Sequence, residues 1–175
     1  MTRSFRVVPI LMLVALVSLP AWAETGKAVL NPTGPAAGPS GEVFLEDTEG
    51  GLRVRAEVRG AVPGKHGFHI HEFGACGDSG NAAGGHYNPA GHSHGNALES
   101  GPAAAHAGDL GNIEIGPDGT GRLEALLSGV KLAGATYTVA GRSFILHEKE
   151  DDFGQPTGNA GGRSACGTVV IVPAS

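Results

Sequence analysis

Residues 52–59, Leu-Arg-Val-Arg-Ala-Glu-Val-Arg, alternate apolar and charged side chains without a break. Side chains on a strand point to opposite faces in turn, so this pattern predicts a half-buried β-strand. Glu42-Val43-Phe44-Leu45-Glu46 predicts a second strand. The turn residues Asp47 to Gly51 between them complete an antiparallel hairpin, with Gly50-Gly51 free to take positive φ. Upstream, Lys27 to Leu30 is a short apolar segment ending at Asn31-Pro32, and Thr33 to Gly41 is a loop.

Residues 66–73, His-Gly-Phe-His-Ile-His-Glu-Phe, predict a strand with a divided character. His69 and His71 share one face, and Phe68 and Ile70 share the other. Gly74 to His106 has no periodicity. A stretch of this length without pattern argues against a compact domain unless the loop is functional. Strand character returns at Asp109 to Ile115, Arg122 to Leu127, Tyr137 to Val139, Ser143 to His147 and Thr168 to Val172. Gly116-Pro117-Asp118-Gly119 is a turn, and Glu148 to Ser164 is a second glycine-rich loop. No helical periodicity of useful length is present. Short strands at close spacing predict an all-β fold, an antiparallel sandwich or flattened barrel of about eight strands with two long functional loops.

The N-terminus follows a different logic. Arg3 and Arg6 precede an apolar run from Val7 to Leu19, and Ala21-Trp22-Ala23 has the small-residue pattern of a signal-peptidase site. The run is too short to span a bilayer, so residues 1–23 read as a secretory signal peptide and 24–175 as one domain. The chain carries a net charge of −5, and loss of Arg3 and Arg6 would take it to −7. An acidic chain without basic clusters argues against a nucleic-acid partner. No membrane association is expected after signal cleavage. Thirty glycines and an aromatic content of 5% agree with many turns and few long helices. An exported chain with two cysteines, Cys76 and Cys166, is expected to join them in a disulfide. Free thiols or thiolate metal ligands are the alternatives.

Histidine changes the picture most. Six of the eight histidines form a spaced series with one aspartate: His69, His71, His86, His94, His106, Asp109 and His147. Imidazole is the commonest metal ligand at neutral pH. The series has too many donors for one tetrahedral zinc and about the right number for two metals. His69, His71 and His147 lie on strands and, with one loop histidine, suit copper. His94, His106 and Asp109 with His86 make a closed set suited to structural zinc. His86 must then serve both metals as an imidazolate bridge. A lone strand histidine is usually an ordinary surface or core residue, but six in such a series are not explained that way. Loose histidine-rich metal buffers cluster in low-complexity tracts, unlike this series. His66 and His92 fall outside it. His66 reads as structural, and His92 reads as a surface residue or a competitor of His94.

These motifs resemble the copper/zinc superoxide dismutases. The resemblance rests on residues 66–74, 85–89, 106–112, 146–152 and 158–167, in the family's order. It implies a Greek-key β-sandwich. It implies copper at His69, His71, His86 and His147, and zinc at His86, His94, His106 and Asp109. His94 is preferred to His92 because it falls eight positions after His86, as in the family. Asp151 is similar to a carboxylate linking a copper histidine to a zinc histidine. Arg163 is similar to an arginine that draws superoxide to the copper, and Thr157 to a residue at the channel rim. Cys76 and Cys166 match the family's disulfide. The implied reaction converts superoxide to molecular oxygen and hydrogen peroxide by alternate reduction and oxidation of the copper, with His86 taking and returning a proton. A non-catalytic copper-binding or copper-delivery protein of the same fold is the rival reading, and a zinc hydrolase is a second. Relatives of eukaryotic and bacterial type pair through different surfaces, so the resemblance is compatible with a homodimer without naming its face. The segment between His147 and Cys166 is about seven residues shorter than in common animal and plant members, by motif matching. The signal is of bacterial style, which favours the periplasm over the cell exterior.

Overall fold

A computed structural model describes residues 23–173, so the proposed signal peptide lies outside the described residues except for Ala23. Eleven strands occur among the described residues: β1 (Thr25–Pro32), β2 (Ser40–Thr48), β3 (Gly51–Arg59), β4 (Gly64–His71), β5 (Asp109–Ile115), β6 (Gly121–Leu127), β7 (Val130–Lys131), β8 (Tyr137–Thr138), β9 (Ser143–His147), β10 (Arg163–Thr168) and β11 (Val170–Val172). The main ladder runs β10-β9-β4-β5-β6-β3-β2-β1-β11, and β1 also pairs with β10. That extra pairing closes an antiparallel barrel of eight strands. The order β3-β6-β5-β4 is a Greek key, because β4 returns to lie beyond β5 instead of pairing with β3.

Closure is narrow at two corners. β5 meets β6 only at Ile115 and Gly121, and β1 meets β10 only at Asn31–Cys166 and Pro32–Ala165. The barrel is therefore flattened, with β1, β2, β3 and β6 on one side and β5, β4, β9 and β10 on the other. The predicted hairpin is β2–β3, paired from Ser40–Arg59 to Thr48–Gly51. Leu52, Val54, Ala56 and Val58 point inward and are buried, while Arg53, Arg55, Glu57 and Arg59 are exposed. Phe68 and Phe144 stack in the core from neighbouring strands, with ring centroids 5.3 Å apart. Burying each such side chain is worth roughly 1.5–3 kcal/mol.

β4 differs from β3 in being buried on both faces from His66 onward. Its inner face, Phe68 and Ile70, joins the core. Its outer face, His69 and His71, is covered by the long loop between β4 and β5. That loop is less irregular than its sequence suggests. It holds a 3₁₀ turn at Asn81–Ala83 and one helical turn, α1 (Ala97–Ser100), capped by the Asn96 side chain accepting from Leu98 N. The last strand also departs from expectation. It starts five residues early, at Arg163, and breaks at Val169, whose N–H donates to Arg142 and whose carbonyl accepts from Gly141 N. The break moves the chain from β9 to the free part of β1, where β11 pairs. The two-residue parallel pair β7–β8 is too short to leave a periodic signature.

Candidate metal centre

Beyond His69, β5 no longer flanks β4, because its pairing ends at His69–Asp109. Loop residues take its place. Tyr87 N donates to Ile70 O at 2.8 Å, Glu72 N to Gly85 O at 2.9 Å, and His86 bridges to His71. Gly108 completes the patch through Ile70 N donating to its carbonyl, and a Cβ at Gly108 would overlap the Ile70 carbonyl oxygen. A loop histidine is thereby held with the precision of a strand residue, beside two histidines of β4. His147 ends β9, the other neighbour of β4. Arg163 lies opposite His147 in the β9–β10 register, at a bulge.

The structure gathers the whole histidine series. Donor atoms of His69, His71, His86 and His147 lie within 4.8 Å of one another, and so do those of His86, His94, His106 and Asp109. His86 belongs to both sets. All seven residues are buried. His92 is not among them. It is half-buried, and its backbone is engaged by the Asn88 side chain, which accepts from His92 N and donates to His92 O. Of the two neighbours, His94 and not His92 belongs to the cluster. His66 has a structural role: its ring nitrogens lie 2.8 Å from the carbonyl oxygens of His147 and Val62.

Proton positions follow from the acceptors. A carbonyl or ionised carboxylate can only accept, so where one ring nitrogen alone faces such a group it carries the proton and the other nitrogen offers a lone pair. His71 Nδ1 faces Gly84 O at 3.0 Å and His147 Nδ1 faces Gly161 O at 3.3 Å. Their Nε2 lone pairs are left facing each other at 3.3 Å. His69 Nε2 donates to Asp151 Oδ2 at 2.7 Å, and His69 Nδ1 is buried with no partner. His94 Nε2 meets Asp151 Oδ1 at 3.0 Å. His94 Nδ1 lies 2.9 Å from Asp109 Oδ2 but outside hydrogen-bond geometry, and it too is an unpartnered buried nitrogen. Opposed lone pairs and orphaned nitrogens are costly in a buried site unless a cation sits among them. The donors therefore fit two metal ions.

Asp109 collects the second set. Its Oδ1 lies 2.8 Å from His86 Nδ1 and 3.1 Å from His106 Nδ1, while Oδ2 accepts from Gly95 N and His106 N. With Nδ1 so engaged, His86 has Nε2 for the other set. Asp151 ties the sets together through His69 and His94. It is held by Asn112, which accepts from Asp151 N at 2.7 Å and donates to Asp151 O at 2.9 Å. Gly158 closes over this contact at φ 77°, where a Cβ would overlap Asp151 Oδ1. The sequence offered no periodic sign of what Asn112 or Gly158 does.

Electrostatics agree with this division. Burial drives the pKa of His71 down to about 2, that of His86 to about 4 and that of His147 to about 3, with neighbouring histidines adding to the effect on each. Burial acts to raise Asp109, but hydrogen bonds from His106, His86 and His94 outweigh it and hold the carboxyl well below its usual range. Asp151 is likewise held low against burial by His69 and His94. Burial acts to lower His94, yet Asp109 and Asp151 raise it to about 9. Below the ordinary histidine value of 6.5 the unfolded chain takes up protons that His71, His86 and His147 refuse in the fold, so stability falls as pH falls. His94 is already protonated in both states below 6.5, and the aspartates change only below 3.8. The melting temperature of metal-free protein should drop between pH 6.5 and pH 4. A flat profile across that window would contradict the burial of these rings.

A cavity opens onto three members of the first set together. It measures about 170 Å³ and is lined by His71, His86, His147 and Arg163, with Thr157 and Asn159 at its rim. The Arg163 guanidinium is half-buried and donates from Nη1 to Gly80 O and from Nη2 to Gly84 O, both at 2.6 Å. Those carbonyls flank the 3₁₀ turn, and Gly84 O is also the partner of His71. Cys76 and Cys166 form a disulfide across 90 positions, fastening this turn to β10 three residues beyond Arg163. Closing a loop of that size is worth about 4–5 kcal/mol by chain entropy.

Residues 39–169 match the family model for copper/zinc superoxide dismutase. A superoxide dismutase [Cu-Zn] of Onchocerca volvulus is 41% identical over 143 residues, 75% of this chain and 88% of that protein. An extracellular superoxide dismutase [Cu-Zn] of Brugia pahangi is 36% identical over 142 residues, 75% of this chain and 69% of that protein. The crystal structure of the clock protein EA4 superposes with a TM-score of 0.76 at 30% identity, over 90% of this chain and all of that one. With a family model spanning most of its length and relatives this similar, the chain belongs to the copper/zinc superoxide dismutase family.

Proposed function

We propose that this protein dismutes superoxide to oxygen and hydrogen peroxide, with copper held by His69, His71, His86 and His147 and zinc by His86, His94, His106 and Asp109. The observation that carries the reading is Arg163 beside His71, His86 and His147 on one small cavity. Copper supplies the one-electron chemistry when bound. Arg163 offers a small anion its positive charge in a protein that is acidic overall, so attraction depends on a local field in a narrow opening. Its two hydrogen bonds to Gly80 and Gly84 leave little freedom to turn away. His86 is placed to hold or release a proton at Nε2, while Asp109 fixes its other nitrogen. Asp151 fixes the tautomers of His69 and His94, which keeps their Nδ1 lone pairs toward the metals. Thr157 narrows the rim.

The rival non-catalytic reading is tested directly. Protein loaded with both metals should remove superoxide far faster than buffer. Arg163→Ala should lower that rate about tenfold or more without displacing copper, and should weaken its dependence on ionic strength. A loaded protein that turned over superoxide no faster than buffer would leave only a copper-binding role.

The protein is exported, in keeping with the disulfide between Cys76 and Cys166. Cleavage after Ala23 would release a single domain of residues 24–175 to the periplasm, the compartment suggested by the bacterial style of the leader. A homodimer would be served by the exposed Phe73 and Val170, which flank the Gly74–Thr168 contact at the end of the barrel.

A further inference from the structure

The short loop after His147 converges on one residue. Asp151, Phe153 and Gln155 stand at alternate positions, and all three engage His94. Asp151 takes the ring proton at Nε2. The Phe153 ring lies nearly parallel to the imidazole, with centroids 6.4 Å apart and planes 20° apart. Gln155 holds the backbone: its Oε1 accepts from His94 N at 3.1 Å, and its Nε2 donates to His94 O at 2.9 Å. One carboxamide thus satisfies both polar groups of a residue 61 positions away, in a loop with no strand ladder of its own there. Phe153 takes φ 59° to point its ring this way.

We infer that Gln155 is a positioning residue for the zinc set, clamping the backbone of His94 so that its Nδ1 stays aimed between His86, His106 and Asp109. The segment before His94 is weakly held otherwise, whereas Gly95 after it donates to Asp109 and Asn96 caps α1. Ser93 is exposed, and among the described residues the hydrogen bonds of the His92 backbone are to the Asn88 side chain. Asp151 orients the ring, but a ring hydrogen bond leaves the main chain free to shift. The amide clamp removes that freedom, so losing it should speed zinc release while leaving the copper donors on β4 and β9 in place. The inference rests on the reading that His94 is a zinc ligand.

The test uses protein loaded with both metals. Gln155→Met keeps the length of the side chain and deletes both hydrogen bonds, and Gln155→Ala deletes the side chain. Zinc release is followed with a chromophoric chelator, and site geometry by the visible spectrum of cobalt placed in the zinc position. Both variants should release zinc about tenfold faster than the parent, the range for residues that orient a ligand. The cobalt bands should shift, and the metal-free protein should melt only about 2–4 °C below the parent, the effect of losing hydrogen bonds at a half-exposed contact. Release at the parental rate from Gln155→Met would overturn the clamp and leave mere packing. A fall in metal-free melting temperature well beyond that range would also overturn it, as a general loss of structure. His94→Ala is the control on the underlying reading: if it retains zinc like the parent, the ligand assignment fails, whatever Gln155 does.

Discussion

Replacing His147 with alanine should abolish copper binding and dismutase activity while leaving zinc bound. His147 supplies one of the four donors on the cavity side, and its Nε2 lone pair faces that of His71 at 3.3 Å. Loss of an orienting neighbour of a ligand costs 10–100-fold in metal affinity, so loss of the ligand itself should cost at least about 100-fold. The zinc-side set does not include His147. The main chain at this position is also secure without the ring. His147 O lies 2.8 Å from His66 Nδ1, and β9 stays paired to β4 and β10. Metal analysis after dialysis should give one zinc and no copper per chain, with little change in circular dichroism. Loss of both metals together would show that the seven residues do not divide into the two sets drawn here. Retention of copper would remove His147 from the site.

The parts of this site that the sequence reveals are those set by strand periodicity. The His69-Ile70-His71 alternation places two imidazoles opposite the core, and the position of His147 at the end of an apolar run places a third on a strand. The unbroken pattern of Leu52 to Arg59 fixes β3 on its own. What the sequence hides depends on contacts between distant segments. His86 reaches β4 only because loop residues 85–87 occupy the edge that β5 leaves free. Arg163 faces the cavity because a bulge sets it opposite His147 in β10, in a segment that reads as loop. The Val169 break has no local signature, since Thr168 to Val172 is uniformly β-branched and the turn is imposed by bonds to Gly141 and Arg142. His94, unlike His92, is likewise drawn into the cluster by contacts with Asp109, Asp151 and Gln155, which no local pattern announces. Motif order, not periodicity, is what points to Asp151, Thr157 and Arg163.

Asp109→Ala should cost more stability than any other single change at the centre, and it should empty the zinc position. The carboxylate is fully buried and every face of it is used. Oδ1 lies against His86 and His106, and Oδ2 accepts from two backbone N–H groups, at Gly95 and His106. Alanine would remove the only anion of the set and leave both amides unsatisfied in the interior. Removing one partner of a buried charged cluster costs about 3–5 kcal/mol. In a domain of this size each kcal/mol lowers the melting temperature by roughly 2–4 °C, so a fall of about 6–20 °C is expected for the metal-loaded protein. The loop from Glu72 to Gly108 should open first, because His94 and His106 are its anchors. Limited proteolysis should therefore cut within residues 88–105 before it cuts the barrel. Asp109→Asn separates the two roles of the carboxylate. Its amide oxygen can still accept from Gly95 and His106, but it brings no charge to the histidines. Zinc should be lost in both variants, with asparagine retaining a clear part of the stability that alanine loses. Zinc retained by the alanine variant would exclude Asp109 as a ligand. Equal melting temperatures for the two would show that charge, and not the pair of backbone hydrogen bonds, is what Asp109 contributes to the loop.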